Sequence, residues 1–307
     1  MRIVFFGTPE FAAYSLKRII KEGFEIVCVV TAPDKPYGRG RKLKSSEVKV
    51  VALENNIKIL QPTNLKSEEF QNELKALNAD LGVVIAFRML PENVWSMPKL
   101  GTVNLHGSLL PQYRGAAPIQ HTIINGEKET GVTTFFLKHE IDTGNLILRR
   151  STDINDKITA GELYKKLMTI GADVMVETLK LISLHGIDTP QIPQKEMSTL
   201  KNAPKLNREF CKIDLKKSAV DIYNFIRGLS PYPAAWLNDP VFGENKIIQA
   251  TIISNKNDSN LKGLQIINNQ LQLFLANGVL EINQIKPSGK GLMNGKDFVN
   301  GLKNRID

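Results

Sequence analysis

Apolar positions in the first two-thirds of the chain fall into short continuous runs separated by stretches of helical period. Residues 2–6, 25–30, 81–86 and 101–105 are rich in β-branched and aromatic side chains. Patterns with a 3.6-residue repeat lie at 9–22, 48–55 and 68–77. Continuous apolar strands alternating with helices are the pattern of a parallel sheet buried on both faces. At the first strand–helix junction, Thr8 is the expected N-cap, with Pro9 at the first helical position. Two β-rich runs, 132–137 and 146–154, and one long helix, 160–185, complete this part.

The texture then changes. Residues 190–206 carry Pro190, Pro193 and Pro204 among polar residues and read as a linker. Beyond it a helix is predicted at 219–229 and short strands at 246–253, 263–267, 270–276 and 279–285. Asn268-Asn269 and Asn277-Gly278 separate strands there and suit tight hairpins. The expected architecture is an α/β fold: an open, mostly parallel Rossmann-like sheet with helices on both faces over 1–189, a linker over 190–206, and a small OB-like β-barrel over 207–307.

Composition narrows the field without naming a chemistry. The chain has 307 residues, 42% of them hydrophobic, enough for two packed cores. No stretch approaches the roughly 20 apolar residues of a membrane span, and the first apolar run is too short for a signal peptide, so a cytoplasmic protein is expected. Cys28 and Cys211 form neither a disulfide framework nor a metal spacing. No pair of histidines has the spacing of zinc ligands, and no metal is expected. The opening loop Gly7-Thr8-Pro9-Glu10-Phe11 lacks the glycine pattern of a dinucleotide site, which counts against a nicotinamide cofactor.

The net charge is +9. One segment concentrates it: Lys35, Arg39, Arg41, Lys42 and Lys44 occur within ten residues that hold no acid, with Gly38 and Gly40 between them. Such a loop is attractive to phosphate and is also the ordinary composition of a solvated loop.

Ligands in open parallel sheets bind beyond the carboxyl ends of the strands. The run Thr102-Val103-Asn104-Leu105-His106 ends there, with Asn104 and His106 on one side because strand side chains alternate. An amide and an imidazole so placed can stabilise a carbonyl oxygen as it gains charge, and the imidazole can move a proton near neutral pH. They can equally satisfy loop backbone groups. Asp142, in Ile141-Asp142-Thr143-Gly144, supplies a carboxylate on a tight turn; read alone, it caps that turn.

Together these motifs resemble the folate-dependent formyltransferases. Asn104-Leu105-His106, Ser108-Leu109-Leu110-Pro111-Gln112-Tyr113-Arg114-Gly115 and Ile141-Asp142-Thr143-Gly144 match that family's active-site signature. The likeness extends over nearly the whole chain and is greatest to members that act on methionyl-tRNA. It includes Phe6-Gly7-Thr8-Pro9-Glu10-Phe11, Pro33-Asp34-Lys35-Pro36, Gly115-Ala116-Ala117-Pro118, Ser230-Pro231-Tyr232-Pro233 and Pro287-Ser288-Gly289-Lys290-Gly291.

The resemblance implies transfer of a formyl group from 10-formyltetrahydrofolate, as co-substrate, to the α-amino group of methionine on initiator tRNA. By the same resemblance, Asn104, His106 and Asp142 are catalytic and Ser108, Leu109, Leu110 and Pro111 line the folate site. Lys35, Arg39, Arg41 and Lys42 are expected to contact the tRNA acceptor stem, and the carboxyl-terminal barrel to bind tRNA. A protein with two domains and one linker is expected to be a monomer. Two rivals remain: a formyltransferase for a small nucleotide-linked amine, and an RNA-binding relative without activity. The sequence also departs from the family at Arg88, where many members carry glycine, and which either reaches the donor's glutamate tail or faces solvent.

Overall fold

The computed structural model describes residues 1–37, 42–195 and 198–303. They form two compact units. One comprises Met1–Arg114, Gly131–Thr152 and Tyr164–Lys201, and the other Gly115–Thr130, Asp153–Leu163 and Asn202–Asp307.

The first unit is built on a seven-stranded sheet. Its strands lie side by side in the order Leu146–Asp153, Glu129–Phe136, Thr102–His106, Leu81–Ile85, Arg2–Gly7, Glu25–Val30 and Ile59–Leu60. The last five pair in parallel, and Thr102–His106 pairs antiparallel with Glu129–Phe136. The chain therefore builds outward from Arg2–Gly7 in one direction and, beginning at Leu81–Ile85, in the other. In open α/β sheets, ligands bind beyond the carboxyl ends of the strands beside such a reversal.

The continuous apolar runs are needed because both faces are covered. Val4, Phe6, Cys28, Val30 and Val84 pack on one side with Leu60, Phe70, Leu74 and Val94. On the other side helix Ala160–His185 comes so close at Gly171 that an added Cβ would stand 2.9 Å from Leu105 and 3.4 Å from Phe11. Burial pushes the Cys28 thiol up to about 12, so it acts here as a small hydrophobe.

The first helix begins differently from expectation. It spans Glu10–Lys21, and its N-cap is Pro9, not Thr8, with no side-chain capping bond. The Phe11 N–H of the first turn is satisfied from outside, by the hydroxyl of Tyr164 at 2.9 Å. That tertiary donor–acceptor pair replaces the local cap, since an unpaired amide there would be costly.

In the second unit the antiparallel sheet runs in the order Ala235–Asp239, Gly243–Ser254, Gly278–Pro287, Gln270–Leu275, Gly263–Ile267. Helix Ala219–Leu229 contributes Ile222, Phe225, Ile226 and Leu229 to its core, and helix Gly295–Lys303 contributes Phe298 and Val299. The sheet curls so far that its two edges meet through a side chain: the Asp239 carboxylate of one edge accepts the Leu264 N–H of the other at 3.0 Å. Its inner face, lined by Leu237, Ile247, Leu273 and Ile282, is the core of a curled antiparallel half-barrel.

Helices Pro118–Ile124 and Ala219–Leu229 approach closely at Gly228, where a Cβ would lie 2.6 Å from the Ile124 side chain. Arg227 is buried beside them, and its guanidinium donates to the carbonyls of Asn155 at 3.4 Å and Ile158 at 3.1 Å. Among the described residues no helix is long and apolar enough to cross a membrane.

Candidate active site

Strand Thr102–His106 carries Asn104 and His106 to the carboxyl end of the sheet, on the same side as its alternation requires. His106 is buried, and its Nε2 lies 2.8 Å from the carbonyl oxygen of Tyr113. A carbonyl only accepts, so Nε2 carries a hydrogen and Nδ1 is the nitrogen left for chemistry. That Nδ1 lies 3.7 Å from Asp142 Oδ2, and both side chains are nearly buried. Asn104 is half-buried on the same strand, one alternation earlier. Two segments distant in sequence thus meet at His106 and Asp142.

The loop that follows is held from below. Thr133, fully buried on the neighbouring strand, donates its hydroxyl to the Ser108 carbonyl at 2.6 Å and accepts the Leu110 N–H at 3.2 Å. Arg149 donates to the Leu110 carbonyl at 3.2 Å. Ser108 spends its own hydroxyl on the Gln112 carbonyl at 2.7 Å, and Leu110 is buried with Phe135 and Leu146. Leu109 and Pro111 remain partly exposed. The four residues of this stretch therefore divide, two turned into the structure and two toward the surface.

Backbone conformations around the site are unusual. Ala86, Tyr113 and Asp142 all have left-handed φ values, +48°, +62° and +56°. Non-glycine residues there cost of order 1–3 kcal/mol each unless neighbours hold them, and they concentrate at functional sites. The Asp142 turn is held in part by its closeness to the strand before it. At Gly144 a Cβ would fall 1.6 Å from the Phe136 carbonyl oxygen, so only glycine permits the approach.

The segment after the long helix adds residues that no sequence signal marked. Ile192 pairs with Leu146 through two backbone bonds of 2.8 Å. Gln194 donates Nε2 to the carbonyls of Asp142 and Gly144, at 2.8 and 2.9 Å, while its Oε1 accepts from Arg114. Further on, the Lys201 carbonyl accepts the Tyr113 N–H at 2.6 Å, and Gln112 bonds to Thr199 and Lys201. This polar, proline-bearing stretch packs along the very loops that position His106 and Asp142.

Arg88 bonds back to the carbonyls of Pro62 and Thr63 and lies 5.8 Å from the Phe87 ring centroid. It is an exposed side chain engaged with its own neighbourhood. Among the described residues no group of three His, Cys, Asp or Glu side chains is arranged to hold a metal. His121 is a buried ring bonded at Nε2 to the Pro204 carbonyl at 3.0 Å, and burial holds its pKa below the ordinary value.

Of the basic loop, Lys35–Tyr37 and Lys42–Lys44 pair as an antiparallel ladder. Lys35 is exposed there, and Lys44 pairs with Glu47 at 2.9 Å. Arg39 and Arg41 lie outside the described residues. The foot of the ladder is a polar knot in which Lys49 Nζ reaches Asp34 at 2.7 Å and Gln61 at 2.8 Å. Gln61 in turn donates to the Ala32 carbonyl at 2.8 Å and to Asp34 at 3.0 Å. The Lys49 ammonium, followed by the Gln61 amide, holds the Asp34 carboxyl below its usual range.

A buried imidazole–carboxylate pair, with an amide on the same strand, lies at the carboxyl end of a parallel strand of a Rossmann-like sheet, and such groups can move a proton and stabilise a developing oxyanion. The formyl transferase family model matches residues 1–179, and the model of the formyl transferase carboxyl-terminal domain matches 205–303. The chain belongs to the formyl transferase family.

Its relatives are close. It is 48% identical to a methionyl-tRNA formyltransferase of Flavobacterium johnsoniae, over 98% of this chain and 96% of that one. It is 43% identical to the methionyl-tRNA formyltransferase of Porphyromonas gingivalis, over 98% and 96% respectively. In fold it is similar to an N-formyltransferase from Helicobacter canadensis solved with folinic acid and dTDP-3-aminofucose, with TM-score 0.67, 23% identity, and coverage of 91% of this chain and 97% of that one. A phosphoribosylglycinamide formyltransferase from Bacillus halodurans matches 60% of this chain and 96% of its own, with TM-score 0.52 and 21% identity.

Proposed function

We propose that this protein transfers the formyl group of 10-formyltetrahydrofolate to the α-amino group of methionine on initiator methionyl-tRNA, in the cytoplasm, for translation initiation. The observation that carries the chemistry is the His106 Nδ1–Asp142 Oδ2 approach of 3.7 Å, with His106 Nε2 fixed on Tyr113 and the Asn104 amide on the same strand. The acceptor follows from the near-full-length identity to methionyl-tRNA formyltransferases.

In this reading the neutral amine attacks the formyl carbon, and its lone pair forms the new C–N bond as the carbonyl pair moves onto oxygen. Asn104 Nδ2–H and His106 stabilise that oxyanion, because preorganised donors act strongly where charge develops away from water. Asp142 takes the proton the amine sheds and passes it to His106 Nδ1. The carbonyl re-forms, the C–N10 bond breaks, and His106 gives that proton from Nδ1 to N10. One proton is removed and one delivered, so Asp142 and His106 end the cycle as they began it.

The donor is assigned to the surface along residues 108–111, with Leu109 and Pro111 as the partly exposed side chains and Ser108 and Leu110 shaping the backbone. Residues 1–189 carry catalysis in this scheme. The barrel over 207–307 and the basic residues Lys35, Arg39, Arg41 and Lys42 bind tRNA, the protein acting as a monomer. Incubation with 10-formyltetrahydrofolate and methionyl initiator tRNA, with glycinamide ribonucleotide and a nucleotide-linked aminosugar as parallel acceptors, tests the assignment. Formylmethionyl-tRNA is the expected product. Preferential formylation of a small amine would replace the acceptor, and absence of any product would remove the activity.

A further inference from the structure

We infer that Gln194 is a positioning residue for formyl transfer, setting the Asp142 carboxylate against His106 by tying down the backbone that leaves Asp142, at the carbonyls of Asp142 and Gly144. This rests on the catalytic role proposed for Asp142. Asp142 has a left-handed φ of +56°, and its carboxylate must meet an imidazole held in place independently by Tyr113. A side-chain amide offers two N–H groups in one plane, and here Gln194 Nε2 lies within bonding distance of both the Asp142 and Gly144 carbonyls.

The amide is itself oriented. Its oxygen faces Arg114, so it cannot rotate to present oxygen to the two carbonyls without losing the guanidinium and opposing like poles. Its backbone is anchored two residues earlier by the reciprocal Ile192–Leu146 bonds. Arg114 continues directly from Tyr113, whose carbonyl holds His106. Gln194 thereby joins the loop that holds the imidazole to the loop that carries the carboxylate, and a shift of about 1 Å between them is enough to cost on the order of 100-fold in rate.

Turnover of Gln194→Leu, Gln194→Glu, Asp142→Asn and the double variant Asp142→Asn/Gln194→Leu, all in the full-length protein, tests this. Leu keeps the side chain's bulk and loses every bond; Glu keeps a partner for Arg114 and loses both N–H donors. The expected result is a fall in kcat of about 10- to 100-fold for each Gln194 variant, with KM for tRNA and folate within about twofold. In the Asp142→Asn background, Gln194→Leu is expected to cost no more than about a further twofold, because a residue acting through Asp142 has nothing left to position.

A near-native kcat for both Gln194 variants overturns the inference. So does an undiminished fall in the Asp142→Asn background, which would mean general damage to the site. If Gln194→Leu does not fold, Gln194→Glu carries the same comparison, alone and with Asp142→Asn. Near-native turnover of Asp142→Asn itself would instead sink the catalytic assignment, so the two failures are separable.

Discussion

The site around His106 and the basic ladder at Lys35–Tyr37 and Lys42–Lys44 rise from the same sheet and are secured in opposite ways. At the site, every segment that bears a functional group is bonded to at least one other: His106 to Tyr113, the 108–110 backbone to Thr133 and Arg149, and the Asp142 turn to Gln194. The ladder is secured at its foot, by the Asp34–Lys49–Gln61 knot, and Lys35 on its first strand is exposed. The difference fits the two tasks proposed for them. Proton transfer and oxyanion stabilisation fail when atoms shift by an ångström, so those groups need to be preorganised. Phosphate attraction acts through charge over several ångströms and tolerates movement.

The largest effect that sharpens this contrast is expected at the site. His106→Ala and Asp142→Asn should each lower kcat by about 10²- to 10⁴-fold while the melting temperature changes little, read by single-turnover formylation and thermal unfolding. Near-native turnover in either variant breaks the comparison at its strong end. The ladder should respond in binding instead. Replacing Lys35, Arg39, Arg41 and Lys42 by Gln is expected to weaken tRNA binding and reduce its log–log salt slope by about 0.7 to 0.9 for each phosphate that is no longer neutralised, with kcat at saturating tRNA preserved. An unchanged salt slope would remove the ladder from the tRNA interface.

Smaller effects test how each region is tied down. Thr133→Val keeps the shape of a fully buried side chain but strands the Leu110 N–H and the Ser108 carbonyl. A loss of about 1–3 kcal/mol in unfolding free energy is expected, measured by denaturant titration. The smallest effect concerns the foot of the ladder. Asp34 has its folded pKa lowered by Lys49 and then Gln61, so it contributes stability above its unfolded value. That contribution is lost as pH falls through the folded value. The stability difference between the protein and Asp34→Asn should therefore be present at pH 7 and shrink below about pH 4, where the unfolded carboxyl begins to bind its proton. A difference that stays constant from about pH 7 to about pH 3 would show that the knot is not electrostatic.

Much of this was legible in the residues. Continuous apolar runs foretold a buried parallel sheet, and its order places Leu81–Ile85 and Thr102–His106 on one side of Arg2–Gly7. The long helix at 160–185 and the hairpins of the carboxyl-terminal unit likewise stand where their periodicities and turn residues put them. Asn104 and His106 could be assigned to one face by counting in twos. Thr8 was the misleading signal: a good capping residue beside a proline, bypassed because the Tyr164 hydroxyl, 153 residues from Phe11, reaches the first turn instead. Gln194 had no signal at all, since a glutamine in a polar, proline-bearing stretch is ordinary until its two carbonyl acceptors are known.

The sequence by itself determined the central parallel strands, the long helix and the chemical inventory, because periodicity, turn residues and side-chain types are local properties; strand Ala235–Asp239 and the short helices Pro118–Ile124 and Gly295–Lys303 carried no such signal. The tertiary structure alone decided which nitrogen of His106 is available, how near Asp142 stands to it, and which residues hold the Asp142 turn in a left-handed conformation. Those facts depend on hydrogen bonds between residues up to 52 positions apart, and no local preference encodes a partner that only folding brings within reach.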